Sequence, residues 1–331
     1  MNTPKPLLID CLQVPRPTRD RFEEWRAGGV DCVHITLSIW ENARETLSHI
    51  GHWNRAFEEH ADLVALAEHA DDIETIAASG RTAVLLGCQN ASLFEDDIDL
   101  VGIFHKLGVR IVQLTYNIQN HVGSGCWEAE DHGISGYFGK NLIREMNRCG
   151  MLVDISHCGI QTSFDAAELS ERPIAITHGN PSEFVGFDVE LNKRNKPTDL
   201  IELVVEKGGV MGLSLYPKIM RGGSNSTLKG FCDMVEWSVE KFGIDAVAFG
   251  TDFYTGYGEE SILWWRAGRW ARESPLKVPN KFSPWPDWFQ SPRDFHNILE
   301  ELDRRSLNSV DIARICGGNW LRLFKNSFSP V

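Results

Sequence analysis

The sequence predicts a (β/α)8 barrel of the TIM type, spanning residues 1–331 as one domain with extra helices and an aromatic-rich loop after the last strand. Three observations carry that expectation. Eight short β-branched or apolar runs recur along the chain, amphipathic stretches separate them, and polar side chains close at least five of the runs. Continuous apolar runs of five or six residues read as strands covered on both faces, as in a parallel sheet. Strand–helix alternation implies parallel strands with right-handed crossovers. A doubly wound open sheet is the alternative topology. Eight repeats with polar ends favour the closed barrel, which presents its chemistry where the strands end.

The runs fall at 7–12, 31–37, 82–88, 110–116, 152–157, 174–178, 210–215 and 246–252. Amphipathic stretches at 98–107, 141–149, 200–206 and 228–242 read as crossover helices. Gly108, Gly150, Gly208 and Gly243 follow them, as glycine does where a helix must stop. Residues 41–80 are too many for one crossover and read as two or three helices. Residues 256–292 hold five of the eleven tryptophans (Trp264, Trp265, Trp270, Trp285, Trp288) and five of the fourteen prolines. A long aromatic loop at this place reads as a lid, a subunit contact, or aromatics packed over the barrel rim.

Composition narrows the function. At 42% hydrophobic and 24% charged, the chain has ample apolar material for a core, and its net charge of −13 argues against nucleic-acid or anionic-membrane partners. No leader-like segment and no run of eighteen apolar residues is present, so neither secretion nor membrane spanning is expected. Eight scattered cysteines without a CxxC pair fit a reduced, cytoplasmic setting better than a disulfide framework.

The most informative residues close three of the runs. Met-Leu-Val-Asp-Ile-Ser ends at His157, Pro-Ile-Ala-Ile-Thr at His178, and Ala-Val-Ala-Phe-Gly-Thr at Asp252. A single buried histidine is more often a core residue satisfied by a carbonyl than a ligand. Two at matched positions on consecutive strands, with Asp252 nearby, reverse that balance. Neutral imidazoles are good ligands for Zn²⁺. Asp154 and Ser156 are candidates to orient the His157 ring from behind. Arg194, in Asn192-Lys-Arg-Asn-Lys, reads on composition alone as a solvated loop residue. Cys11 reads as packing, the Gly-rich Val122–Gly125 stretch lacks the Lys of a phosphate loop, and His34, His121 and His132 receive no role.

The segments Gly108-Val-Arg, Leu114-Thr-Tyr-Asn, Glu145 through His157, Thr177-His178, Lys193-Arg194-Asn195, Gly250-Thr-Asp252-Phe and Gly317-Gly-Asn-Trp-Leu-Arg322 occur in this order over most of the chain. Together they resemble the membrane (renal) dipeptidase family of the metal-dependent amidohydrolase superfamily. The resemblance implies a barrel hydrolase acting on a dipeptide or other small substrate, in a homodimer. It implies that His157 and His178 bind the more buried metal, that Arg194 pairs with a substrate carboxylate, and that Asp252 contacts the attacking water.

Departures from the family pattern are as informative. Its His-x-Asp on the first strand falls on Leu12 and Val14, its metal-bridging Glu on Gln89, and its active-site His on Tyr116. Aliphatic side chains cannot donate a lone pair, so one Zn²⁺ per chain is expected, on His157, His178 and Gln89. Asp252 is the expected proton acceptor, with Tyr116 or Asn117 donating to the developing oxyanion and Arg194 anchoring the substrate. The alternatives are a lyase, isomerase or other non-peptidase step on a small carboxylate, or a ligand-binding protein without catalysis.

Overall fold

The alternation of inward and outward side chains along each strand builds a closed barrel. The computed structural model describes residues 6–269, 272 and 281–329. Its strands are β1 (Ile9–Val14), β2 (Cys32–Ser38), β3 (Val64–Leu66), β4 (Thr82–Cys88), β5 (Val109–Gln113), β6 (Leu152–Asp154), β7 (Ala175–Gly179), β8 (Val210–Leu213), β9 (Val247–Phe249) and β10 (Phe253–Tyr254). Eight of them, β1-β2-β4-β5-β6-β7-β8-β9, are hydrogen-bonded in parallel, and Asp10 pairs with Phe249 to close the ring.

On β4, Ala83 and Leu85 face the barrel interior, while Val84 and Leu86 pack outward against helices. Ile9, Cys32, Ile111, Leu152, Ala175, Val210 and Ala248 complete that interior from the other seven strands, all at most 1% exposed. Such layers fill a barrel of this size, so the cylinder is a packed core and chemistry is confined to its rim. The helix Asn319–Ser327 plugs the floor with Trp320, Leu323 and Phe324, and the Trp320 indole N–H donates to the Phe249 carbonyl at 2.9 Å.

The helices expected between strands are present. They include Asp99–Lys106, Phe138–Cys149, Thr198–Glu206 and Leu228–Phe242. Gly150 takes φ +81° at the end of its helix, a conformation costly to any residue with a Cβ. Between 41 and 80 lie the helices Ala43–Glu59 and Ala70–Ala78, together with β3, which pairs with the start of β4. A three-residue strand is too short for the apolar periodicity to reveal.

Four strands stop earlier than the apolar runs suggest: β5 at Gln113, β6 at Asp154, β8 at Leu213 and β9 at Phe249. His157 and Asp252 therefore lie three residues beyond those strands, and Asp252, whose N–H donates to the Leu12 carbonyl at 3.0 Å, leads directly into β10. Asn117 (φ +62°) and Asp252 (φ +60°) adopt the left-handed conformation there, one that non-glycine residues seldom take. Strain of this kind collects where side chains must be aimed.

The aromatic segment lies over this rim. Tyr254 sits 4.7 Å from Phe282 and 5.1 Å from Trp285 between ring centroids, and Trp265 lies 5.6 Å from Phe282. It thus covers the mouth of the barrel, while Trp270 falls outside the described residues. Among the described residues, no helix is long and apolar enough to cross a membrane. All eight cysteines are buried.

Candidate active site

The rim encloses a cavity lined by all seven singled-out residues except His178, which sits immediately beneath it. His157 and His178 are 2% and 0% exposed, and their Nε2 atoms are 3.0 Å apart. The neighbours of each ring fix its tautomer. Nδ1 of His157 lies 2.7 Å from Asn117 Oδ1, an acceptor, so it carries the proton. The Thr177 hydroxyl donates to Asp154 Oδ2 at 2.6 Å, which leaves it to accept from His178 Nδ1 at 2.8 Å.

Both Nε2 lone pairs therefore face one another. Two lone pairs at that separation repel unless a cation lies against both, so the pair suits a divalent ion. Burial and then the positive charge of Arg194 hold both rings well below the usual imidazole range, with His178 adding to the effect on His157 and His34 to that on His178. Both are thus neutral, the state a metal requires.

Gln89 adds an oxygen without a partner to the cavity lining. Its Nε2 donates to Thr36 Oγ1 at 2.7 Å, while its buried Oε1 has no partner and belongs to the cavity wall. Among the described residues, no group of three His, Cys, Asp or Glu side chains is placed to hold a metal. Val14, where a carboxylate would belong to a second site, lines the cavity as an aliphatic group, and Leu12 is fully buried.

The expected role of Asp154 and Ser156 needs correction. Asp154 and Ser156 do not touch the His157 ring. Asp154 instead accepts from Thr177 N–H and Oγ–H and from Ser156 N–H and Oγ–H, and Ser156 Oγ accepts from His178 N–H. Their effect is on His178. The Asn117 side-chain oxygen is engaged by His157, so Asn117 orients that ring as well as lining the cavity. Tyr116 stacks on one face of His157, with centroids 3.9 Å apart and planes 21° apart.

Arg194 is 2% exposed, not solvated, and its Nε and Nη2 have no partner. Those two N–H groups lie on one edge of the guanidinium, the edge that grips a carboxylate bidentately. Leaving them unmet in the interior is costly, and an anion entering the cavity would satisfy both. Asp252 is 8% exposed, and burial outweighs the nearby Arg194 charge to push its pKa up from 3.8 to about 7.

Several contributors carry signals that the sequence reading passed over. Thr251, immediately before Asp252, donates its N–H and hydroxyl to buried Asp10 at 2.8 and 2.6 Å. Thr177, immediately before His178, does the same to Asp154 on the neighbouring strand. The repeated pattern, threonine before a site residue and aspartate in the adjoining strand run, was visible in the chain. Gly125 has a similar logic: a Cβ there would meet the Asn117 carbonyl carbon at 2.2 Å, so only glycine lets the loop pass. Fully buried Lys196 donates from Nζ to the Cys158 carbonyl at 2.8 Å, tying the Arg194 segment to the loop after β6.

Comparison with known proteins identifies the family and the fold. Residues 14–261 match the family model described as membrane dipeptidase, peptidase family M19. The dipeptidase tcpJ of Claviceps purpurea is 30% identical over 260 residues, covering 72% of this chain and 60% of that protein. The chain spans roughly three fifths to two thirds of the length of the first curated relatives it matches. A solved amidohydrolase from Pseudomonas aeruginosa is 32% identical, with a TM-score of 0.91 over 98% of this chain and 97% of that one. The probable dipeptidase PvdM of the same organism, 17% identical, shares the fold with a TM-score of 0.81 over 99% and 96% of the two chains.

Proposed function

This chain belongs to the membrane dipeptidase family, and we propose that it is a metal-dependent hydrolase cleaving an amide bond in a small, carboxylate-bearing substrate. The observation that carries this reading is the pair of facing, neutral imidazoles beside the unpartnered fork of Arg194. One Zn²⁺ per chain is the cofactor we assign, held by His157 and His178 with Gln89 Oε1 as the neutral third donor. A divalent ion so held supplies Lewis acidity and lowers the pKa of water.

The chain's own residues then have separable tasks. Arg194 grips the substrate carboxylate through Nε and Nη2 and fixes the scissile bond relative to the imidazoles. Asp252 takes the proton from the attacking water and returns it to the leaving nitrogen, a task suited to a carboxylate poised near pH 7. Tyr116 flattens against His157 and holds that ring, with its hydroxyl the group we assign as oxyanion donor. The aromatic side chains at the mouth would leave little room for water once substrate is bound, which would strengthen each of these interactions. Buried, scattered cysteines suit a reducing compartment, so we place the protein in the cytoplasm.

Two measurements bear on these roles. Asn117→Ala and Thr177→Val each free one imidazole to rotate and change tautomer, and each is expected to weaken metal affinity by about 10–100-fold. Competition against a chromophoric chelator reads this directly, and unchanged affinity in both variants would remove the orienting role.

The second is the pH profile. If Asp252 must be ionised, kcat/KM rises about tenfold per pH unit up to about 7 and then levels. Asp252→Asn is expected to abolish that limb and lower the rate by about 10²–10⁴-fold. Stability runs the opposite way. Asp252 and Asp10, at about 7 and about 6, both stand above their ordinary 3.8 because of burial. The folded chain therefore binds more protons than the unfolded chain between about pH 4 and 7, and the stability these groups contribute falls as pH rises through that window. A flat rate profile from pH 5 to 8 would rule out Asp252 as the base.

A further inference from the structure

We propose that the acyl half of the substrate carries no free ammonium group, so that the site takes N-acylated amino acids in preference to free dipeptides. This rests on the reading of the cavity as an amide-hydrolase site with Arg194 as the carboxylate anchor. It comes from the charges and unmet polar atoms of the cavity wall.

Among the described residues that line the cavity, Asp252 is the only carboxylate, against Arg194, Arg266 and Lys281. Arg266 is 5% exposed and donates to the Tyr216 hydroxyl. A cation on the two imidazoles adds to the positive side. An ammonium entering this space meets like charges and one counter-charge, and pairing with Asp252 would occupy the group that must accept a proton.

The hydrogen-bond inventory gives the same answer. An ammonium brings three donors and no acceptor. The buried, unpartnered atoms of cavity-lining residues are Arg194 Nε and Nη2, Trp127 Nε1, Tyr254 Oη and Gln89 Oε1. Three of these five are donors only, and Gln89 Oε1 is already assigned to the metal. The wall is thus built for acceptors: a carboxylate on Arg194 and a neutral acyl oxygen near Trp127. Aromatic faces do attract ammonium ions, but Tyr254, Trp265 and Phe282 pack chiefly against one another over the mouth. Their edges suit an uncharged acyl chain.

The test compares ligands that differ chiefly in this one charge. N-acetylphenylalanine and glycylphenylalanine, as both enantiomers, are titrated calorimetrically into the full-length, zinc-loaded protein. The N-acetyl ligand of the preferred hand is expected to bind at least tenfold more tightly. Gln89→Glu places a carboxylate on the cavity wall and is expected to narrow that ratio by about tenfold, whatever it does to turnover. Equal or tighter binding of glycylphenylalanine, no measurable binding of N-acetylphenylalanine, or a ratio untouched by Gln89→Glu would each overturn the proposal. An N-acetyl preference without hydrolysis of the bound ligand would support the inference about charge while ending the hydrolase reading, so the two failures are distinct.

Discussion

Replacing His157 with alanine is expected to abolish metal binding and to lower kcat/KM by about 10³-fold or more, with the fold retained. The size follows from what a bound divalent ion contributes, several kcal/mol of transition-state stabilisation, at about 1.4 kcal/mol per tenfold in rate. His157 and His178 bring their Nε2 atoms together at the cavity, and one imidazole alone with a neutral amide is a poor donor set. His157→Ala also removes the ring on which Tyr116 stacks and leaves Asn117 Oδ1 without its partner. His178→Ala should have the same effect on metal while leaving that stack in place. Circular dichroism on both variants separates loss of the site from loss of the fold. Full activity in a metal-free His157→Ala protein would end the proposal that the imidazole pair drives catalysis.

Arg194→Leu is expected to lower kcat/KM for carboxylate-bearing substrates by about 10²–10³-fold, mostly through KM. Truncating one member of a buried, hydrogen-bonded charge pair typically costs about 2–5 kcal/mol. The stability prediction has the opposite sign. The guanidinium is 2% exposed and its Nε and Nη2 lack partners in the ligand-free protein, so an aliphatic replacement removes an unmet desolvation cost. The variant's Tm should equal or exceed that of the parent. Arg194→Lys, which keeps charge but loses the planar fork, should fall between the two in activity. A marked loss of stability with an unchanged KM would make Arg194 a structural residue.

The barrel was legible in the sequence because buried strands leave a strong mark. Eight apolar runs end in residues that the structure brings to one rim, and His157, His178, Arg194 and Asp252 meet there. What was not legible depends on contacts between distant segments. The burial of Arg194 is set by the helices and loops around 191–196, so a string of polar residues concealed it. That Asn117 holds His157 follows from a single left-handed residue, which no periodicity encodes. The ends of β6 and β9 were misjudged because side chains aimed at the rim stay as buried as those in the ladder. The paired Asp10–Thr251 and Asp154–Thr177 contacts were written in the chain but become meaningful only once neighbouring strands are known.

Elemental analysis of the protein after zinc loading and exhaustive dialysis tests the central claim most directly. Two imidazoles and one amide, with leucine and valine where further ligands would stand, predict a single zinc ion per chain, lost on His178→Ala. Two ions per chain, or one ion retained without His178, would contradict it.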